Sequence, residues 1–355
     1  MKLLNTKRGR GMEYLTDSAS QSRRDFMKNL VFFCSLLHLK PEDLLALSGT
    51  REGYGSPPDI VYQHRTLSLG HFKELQEDID ILKRKGKLSR NKTFRSYIDD
   101  MRFEIPENFP DAQSIIVLAT FTRMMYVNFH LGGKKYDIML PPQYYDDGIS
   151  IDDLKGLILK DIIQEPGYRI EKADKVHLKL LAVRSGLGTY GRNNLCFVDG
   201  MGNFLTLYAF LTDFKFEENH WHELKMLDLC KNCRICYGIC PTNCITEEHF
   251  VIDVGKCVTL YNEVEGTFPR FLLPSMHNAL MGCMKCQVGC PENEKFLRMA
   301  GRLEDVTEEE TRKILKGEPD EHLLDSLGQK LRKFYPACEE KYFPIFTRNL
   351  RVLIS

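Results

Sequence analysis

Hydrophobic and polar positions change period several times along this chain, and each change marks an element. From residue 69 to 85 apolar side chains recur at helical spacing (Phe72, Leu75, Ile79, Leu82), which predicts an amphipathic helix, with helix and loop continuing to Phe103. Residues 114–119 are a short continuous apolar run, as a strand buried on both faces requires. Val127, Phe129 and Leu131 then alternate with polar residues, Gly132-Gly133 turns the chain, and Tyr136, Ile138 and Leu140 alternate again, which predicts a hairpin.

Pro141-Pro142 closes the hairpin, and Ser150 with Asp153 three residues on predicts a capped helix to about Ile163. A second helix is expected over 174–185, stopping at Gly186. A glycine-rich turn leads to two strands, 194–198 and 204–212, joined by Asp199-Gly200-Met201-Gly202. Strands alternating with helices predict an α/β or α+β domain. After Phe296 the chain turns polar and helical, with Thr307 capping a helix over 308–316 and another amphipathic helix over 322–335. The turn-rich stretch 53–58 sets the first segment apart. The expected order is a leader and linker (1–58), an α/β domain (59–222), a cysteine-rich module (223–300) and a helical tail (301–355).

The 355 residues are 43% hydrophobic, enough for a core and two domains. Its 49 basic and 49 acidic residues cancel. Because nucleic-acid binders usually carry a basic excess, no nucleic-acid partner is expected. The short basic stretch 83–87 reads as a solvated helix end. No run reaches the roughly eighteen apolar residues of a spanning helix, which excludes a multi-span membrane protein.

Candidate chemistry lies in the cysteines, nine of twelve falling within 230–290. Cys230-x2-Cys233-x2-Cys236-x3-Cys240-Pro241 is the run of bacterial-type ferredoxins, and Cys283-x2-Cys286-x3-Cys290-Pro291 follows it. In two-cluster ferredoxins the last cysteine of each run crosses to the other cluster. Cys230, Cys233, Cys236 and Cys290 are then expected to hold one [4Fe–4S] cluster, and Cys240, Cys283 and Cys286 most of a second. Cys257 is the best fourth ligand and Cys244, four residues past Cys240, its rival. Zinc has no use for a third cysteine at this spacing or for the proline. Disulfide frameworks are small and cysteine-dense throughout. Cys34, Cys196 and Cys338 stand alone and are expected to be buried hydrophobes.

Ser22-Arg23-Arg24-Asp25-Phe26-Met27-Lys28, with a basic region before it and a short apolar stretch behind, fits the twin-arginine export pattern. Export to the periplasm or outer membrane face is expected, with room for peripheral membrane association. The alternative is a capped amphipathic helix in a cytoplasmic protein.

Residues 181–194 (LAVRSGLGTYGRNN), joined to Gly202-x-Phe204-Leu205 and the two cysteine runs, resemble epoxyqueuosine reductase and its relatives, which share a core with corrinoid reductive dehalogenases. The resemblance covers about residues 60–300 and includes the isolated Cys257, a cluster ligand in that family. It implies a base-off cobalamin between the α/β domain and the cluster module, fed by a low-potential donor of ferredoxin or flavodoxin type. Arg184, Gly186, Gly188, Gly191 and Asn193 would lie against that corrinoid, the glycines letting backbone approach the macrocycle. On the local sequence alone, Gly186 serves equally as a helix C-cap, with Gly188 and Gly191 shaping the turn.

The chain departs from the family where the epoxyqueuosine enzymes carry an Arg-x-Asp-Tyr-His segment; here the region reads Leu140-Pro141-Pro142-Gln143-Tyr144-Tyr145-Asp146-Asp147. Tyr144, Tyr145, Asp146 and Asp147 are the candidates for a replacement proton donor, against a solvated loop cap. His130 and His277 could line a pocket, though a lone histidine more often has a structural role. The expectation is an iron–sulfur oxidoreductase that passes electrons through two [4Fe–4S] clusters to a cobalamin, which reduces an unidentified small molecule. The alternative is a ferredoxin-like electron carrier without a corrinoid.

Overall fold

A computed structural model describes residues 60–145, 149–246 and 251–355, all within one compact unit, Gly55–Ser355. The twin-arginine pattern, Cys34, Asp146 and Asp147 lie outside the described residues. In chain order the strands are β1 (Tyr62–Ser68), β2 (Ser114–Phe121), β3 (Met125–Leu131), β4 (Lys134–Leu140), β5 (Ile170–Lys172), β6 (Thr189–Tyr190), β7 (Cys196–Phe197), β8 (Leu205–Thr212) and β9 (Gly301–Arg302). Helices α1 (Phe72–Arg84), α2 (Lys92–Asp99), α3 (Ile151–Leu157) and α4 (Leu178–Arg184) accompany the first sheet. Short helices α5 (Ile235–Ile239), α6 (Val258–Glu263), α7 (Lys285–Val288) and α8 (Glu294–Leu297) build the cysteine-rich module. The tail is α9 (Glu308–Lys316), α10 (Glu321–Lys330), α11 (Tyr335–Cys338) and α12 (Phe343–Ile354).

The main sheet runs β1-β2-β8-β5, every pair antiparallel, which selects α+β over a parallel α/β sheet. Alternation along central β2 explains its unbroken apolar run. Ile115, Val117 and Ala119 pack with α1, α2 and α4, while Ile116 and Leu118 face α3 and the π-helical turn Ile158–Ile163 that continues it. The β3–β4 hairpin turns through Gly132 and Gly133, both at positive φ, and pairs with β9. Its inner face, Val127, Phe129 and Leu140, forms a second core with Leu323, Leu327 and Phe346 of the tail.

Several predicted boundaries move. The helix expected from residue 174 begins at Leu178, where the His177 ring takes the N-cap role and accepts from the Leu180 amide at 3.1 Å. Gly186 follows that helix at φ +71, and Ser150 and Asp153 make the expected capping box. The strands expected at 194–198 and 204–212 belong to different sheets, β7 pairing with β6 and β8 with β2. Strand β1 and helix α12 had no clear sequence signal. Among the described residues no helix is long and apolar enough to cross a membrane.

Candidate iron–sulfur centre and adjoining cavity

Helices α5 and α7 pack against each other and bring the two cysteine runs together. Cys290 stands within electrostatic reach of Cys230, Cys233 and Cys236, the crossover grouping expected for one cluster. Cys283 reaches Cys257 and Cys240, and Cys286 reaches Cys283 and Cys257, with Cys257 at the start of α6 and Cys244 beside Cys240 lining the same cavity. Burial pushes the Cys283 thiol up to about 12 and Cys290 to about 11. Such thiols give up their protons to bound metal. Cys244 lies among the same cysteines, its sulfur 3.4 Å from that of Cys240, so which eight would hold two [4Fe–4S] clusters follows from the spacing in the sequence rather than from this geometry.

The glycine-rich turn lies against these loops. The Arg192 amide donates to the Cys230 sulfur at 3.4 Å, its side chain donates to the Cys230 carbonyl, and its Nε donates to the Cys233 carbonyl at 3.1 Å. Buried Asn193 hydrogen-bonds the Cys286 sulfur. Arg192 was not among the residues singled out from the sequence, since nothing local to it shows what its guanidinium reaches.

The other turn residues are occupied by the chain itself. A Cβ on Gly188 would stand 2.6 Å from the Cys196 sulfur and 2.7 Å from the Phe197 carbonyl; on Gly191 it would meet the Phe197 ring, and on Gly186 the His222 ring at 2.6 Å. Arg184 binds Asp78 through two nitrogens at 2.6 and 2.8 Å, donates to the His222 carbonyl at 3.1 Å, and lies over the Trp221 ring. The glycines are therefore explained by close packing within the chain rather than by approach to a macrocycle.

A cavity of about 380 Å³ opens beside the second group, lined by Cys240, Cys257, Cys283 and Cys286 and by His177, Lys179, Asn193, Glu263 and Gln287. Lys179 donates to the Asn194 carbonyl at 3.0 Å, and burial lowers its pKa. Burial pushes Glu263 above the ordinary carboxylate range and His177 down to about 4. The Gln287 Oε1 is buried without a hydrogen-bond partner, and Gln287 lines the cavity. Part of this volume is the seat of the second cluster, and the whole is near the low end for drug-sized ligands, about 300–1,000 Å³. A corrin with its amide arms is larger than those ligands, and of the five residues expected to cradle it only Asn193 lines the cavity. Among the described residues, those around this cavity suit a cluster and, in the volume and side chains they present, do not fit a corrin.

Of the four proton-donor candidates, Tyr144 reaches the site. Its hydroxyl bonds Glu263 and stands against Gly282, next to Cys283, where a Cβ would come within 2.5 Å of it. Tyr145 is buried in the hairpin–tail core. His130 contacts Asp305 at 2.7 Å and His277 contacts Asn262 at 3.0 Å; neither lines the cavity. Buried Cys196 packs in the first core, and Cys338 contacts the Phe334 carbonyl at 3.2 Å.

Comparison with known proteins places this arrangement in a class. Residues 229–293 match the family model of a 4Fe-4S double cluster binding domain. The chain is 26% identical over 201 residues to the epoxyqueuosine reductase of Atelocyanobacterium thalassa, a match covering 55% of this chain and 63% of the relative. It is 35% identical over 114 residues to the Escherichia coli epoxyqueuosine reductase, covering 32% and 29%. The chain thus spans less than two thirds of these curated relatives. The Bacillus subtilis epoxyqueuosine reductase, solved with its catalytic loop swung out of the active site, superposes with a TM-score of 0.57 at 16% identity over 82% of this chain and 77% of that one.

The class is an iron–sulfur protein with a double-cluster module, and its homologues are oxidoreductases. The particular likeness, in sequence and in fold, is to the epoxyqueuosine reductases. One expectation is overturned. An epoxyqueuosine reductase of this fold, at TM-score 0.57, is solved with an epoxyqueuosine-modified tRNA-Tyr stem loop, so the neutral charge balance does not exclude a nucleic-acid partner. Net charge is a sum over the whole chain and carries no information about local surface potential.

Proposed function

We propose that this chain is an iron–sulfur reductase of the epoxyqueuosine reductase type, acting on a group presented at the cavity beside the second cluster. The observation that carries this reading is the meeting of Cys257 and Glu263, the two ends of one short helix, on that cavity together with Lys179. When bound, the clusters supply electrons one at a time at low potential. The protein's own residues then do the rest. Glu263, whose pKa burial raises and whose Oε1 accepts from the Tyr144 hydroxyl, is the group that delivers a proton to the reduced substrate. Lys179 places an amine on the same cavity, which Gln287 also lines.

Epoxyqueuosine carried on a transfer-RNA stem loop is the first substrate to test, and Tyr144 with Glu263 takes the place of the missing Arg-x-Asp-Tyr-His segment. Anaerobic protein reduced with dithionite is mixed with the modified stem loop and the nucleoside is read by mass spectrometry. Conversion to queuosine is the expected result. Fully reduced clusters with an unchanged nucleoside would remove this substrate, and the absence of any reducible substrate would leave an electron carrier. A corrinoid is what the likeness to epoxyqueuosine reductases adds, and no step here runs through it. Its test is the cobalt-to-iron ratio of anaerobically purified protein.

A further inference from the structure

The helix that carries Cys257 and Glu263 is tied to the second cysteine run through α12 of the tail. Helix α6 ends in backbone carbonyls that no helical amide reaches. Arg348 spans them: its Nη2 donates to the Tyr261 carbonyl at 2.7 Å, and its Nη1 to the carbonyls of Val264 at 2.8 Å and Gly266 at 2.6 Å. Its neighbour Asn349, 1% exposed, accepts from Arg348 Nη2 at 3.0 Å and donates through Nδ2 to two carbonyls, Asn262 of α6 and Leu280, each at 2.9 Å. Buried Asn262 completes the tie by donating to the Gly282 carbonyl at 2.7 Å, one residue before Cys283. None of these three side chains lines the cavity.

We propose that Arg348 and Asn349 are positioning residues for the second cluster, holding the helix of Cys257 in register with the loop of Cys283. The inference rests on the two-cluster reading above, with Cys257 as a ligand. A cluster needs its four sulfurs at fixed separations, and these two cysteines come from different segments of the chain. The one buried amide of Asn349 bonds both segments, so neither shifts without breaking a bond that water cannot replace. Arg348 fixes the end of the same helix with a planar fork, which a lysine, a point charge, cannot reproduce across three carbonyls. Partners outside the ligand shell are worth about 10–100-fold in metal affinity.

The test uses the full chain, reconstituted anaerobically, as wild type, Asn349→Asp, Arg348→Lys and Thr347→Val. Aspartate keeps the shape and the acceptor for Arg348 but turns oxygen onto both carbonyls. Thr347 lies on the same helix and donates to the Ile314 carbonyl of α9 at 2.8 Å, so its valine variant loosens the tail without touching α6. Each protein is titrated with an iron chelator, the dithionite-reduced clusters are followed separately by electron paramagnetic resonance, and melting temperature is measured alongside. The chelator concentration that removes half of the second cluster should fall by about 10–100-fold in Asn349→Asp and Arg348→Lys. The first cluster, and both clusters of Thr347→Val, should hold as in wild type. Wild-type retention of the second cluster in Arg348→Lys would overturn the proposal, and that variant decides the matter if Asn349→Asp does not fold. Loss of both clusters in step with melting temperature in all three variants would reduce the tie to general stability and overturn it too. Zinc in place of iron in the wild type, or about eight iron atoms in Cys257→Ser, would instead sink the cluster reading beneath it.

Discussion

The Tyr144 hydroxyl donates to the Glu263 carboxylate, joining the turn after the β3–β4 hairpin to the last residue of the helix that Cys257 begins. The two residues are far apart in sequence, and their meeting holds the Glu263 side chain on the cavity beside Cys257, Cys283 and Cys286. That relationship makes the proton-donor assignment testable.

Glu263 serves as an acid only while protonated. Because burial raises its pKa, substrate reduction should persist above the ordinary carboxylate range and decline as pH rises through the raised value. Glu263→Gln should lower turnover by about 10²–10⁴-fold and erase that limb, with iron content unchanged. The Tyr144 hydrogen bond favours the carboxylate, so Tyr144→Phe should shift the limb to higher pH. A pH–rate profile that neither substitution alters would exclude the pair.

His177 is neutral at pH 7, its pKa pushed by burial to about 4. The unfolded chain binds a proton near the ordinary value of about 6.5, so stability is full above that pH and falls as pH drops toward 4. His177→Asn keeps an N-cap acceptor for the Leu180 amide and should flatten this decline in denaturant titrations. An identical acid limb in the variant would contradict the assignment.

The crossover expected from the spacing assigns each cysteine to one cluster. Cys240→Ser and Cys257→Ser should each reduce iron from about eight to about four atoms, and Cys290→Ser should lose the other half. Spectra showing the same surviving cluster in Cys257→Ser and Cys290→Ser would contradict the crossover.

Gly188→Val places side-chain carbon against the Cys196 sulfur and the Phe197 carbonyl. Overpacking of this kind costs about 1–3 kcal/mol. Soluble yield and melting temperature should fall, while iron per folded chain stays at the wild-type level. Unchanged stability would show that the turn has room the packing denies.

Export remains a proposal from the leader alone. Arg23→Lys with Arg24→Lys should retain a reporter fusion in the cytoplasm of a host with a working twin-arginine pathway. A wild-type fusion that never leaves the cytoplasm would rule export out.

Much of the fold could be read locally. The Ile115–Ala119 run, the hairpin through Gly132-Gly133 and the Thr307 cap depend on side-chain period and turn chemistry, and each element forms within a residue or two of its expected place. Strand β1 and the late start of α4 escaped notice because partners distant in sequence decide them: β1 is held by β2, and His177 caps α4 with a ring that has no strong capping preference.

The sequence by itself determined the double-cluster chemistry, since cysteine spacing along a few turns sets which sulfurs can surround one cube. Tertiary structure alone decided what surrounds the clusters. It turned Arg192 and Asn193 onto the cysteine loops, filled the space at Gly188 and Gly191 with the chain's own side chains, and set Tyr144 on Glu263. These are contacts between segments separated by long stretches of chain, and local pattern records the period of a segment but not the segment it will meet.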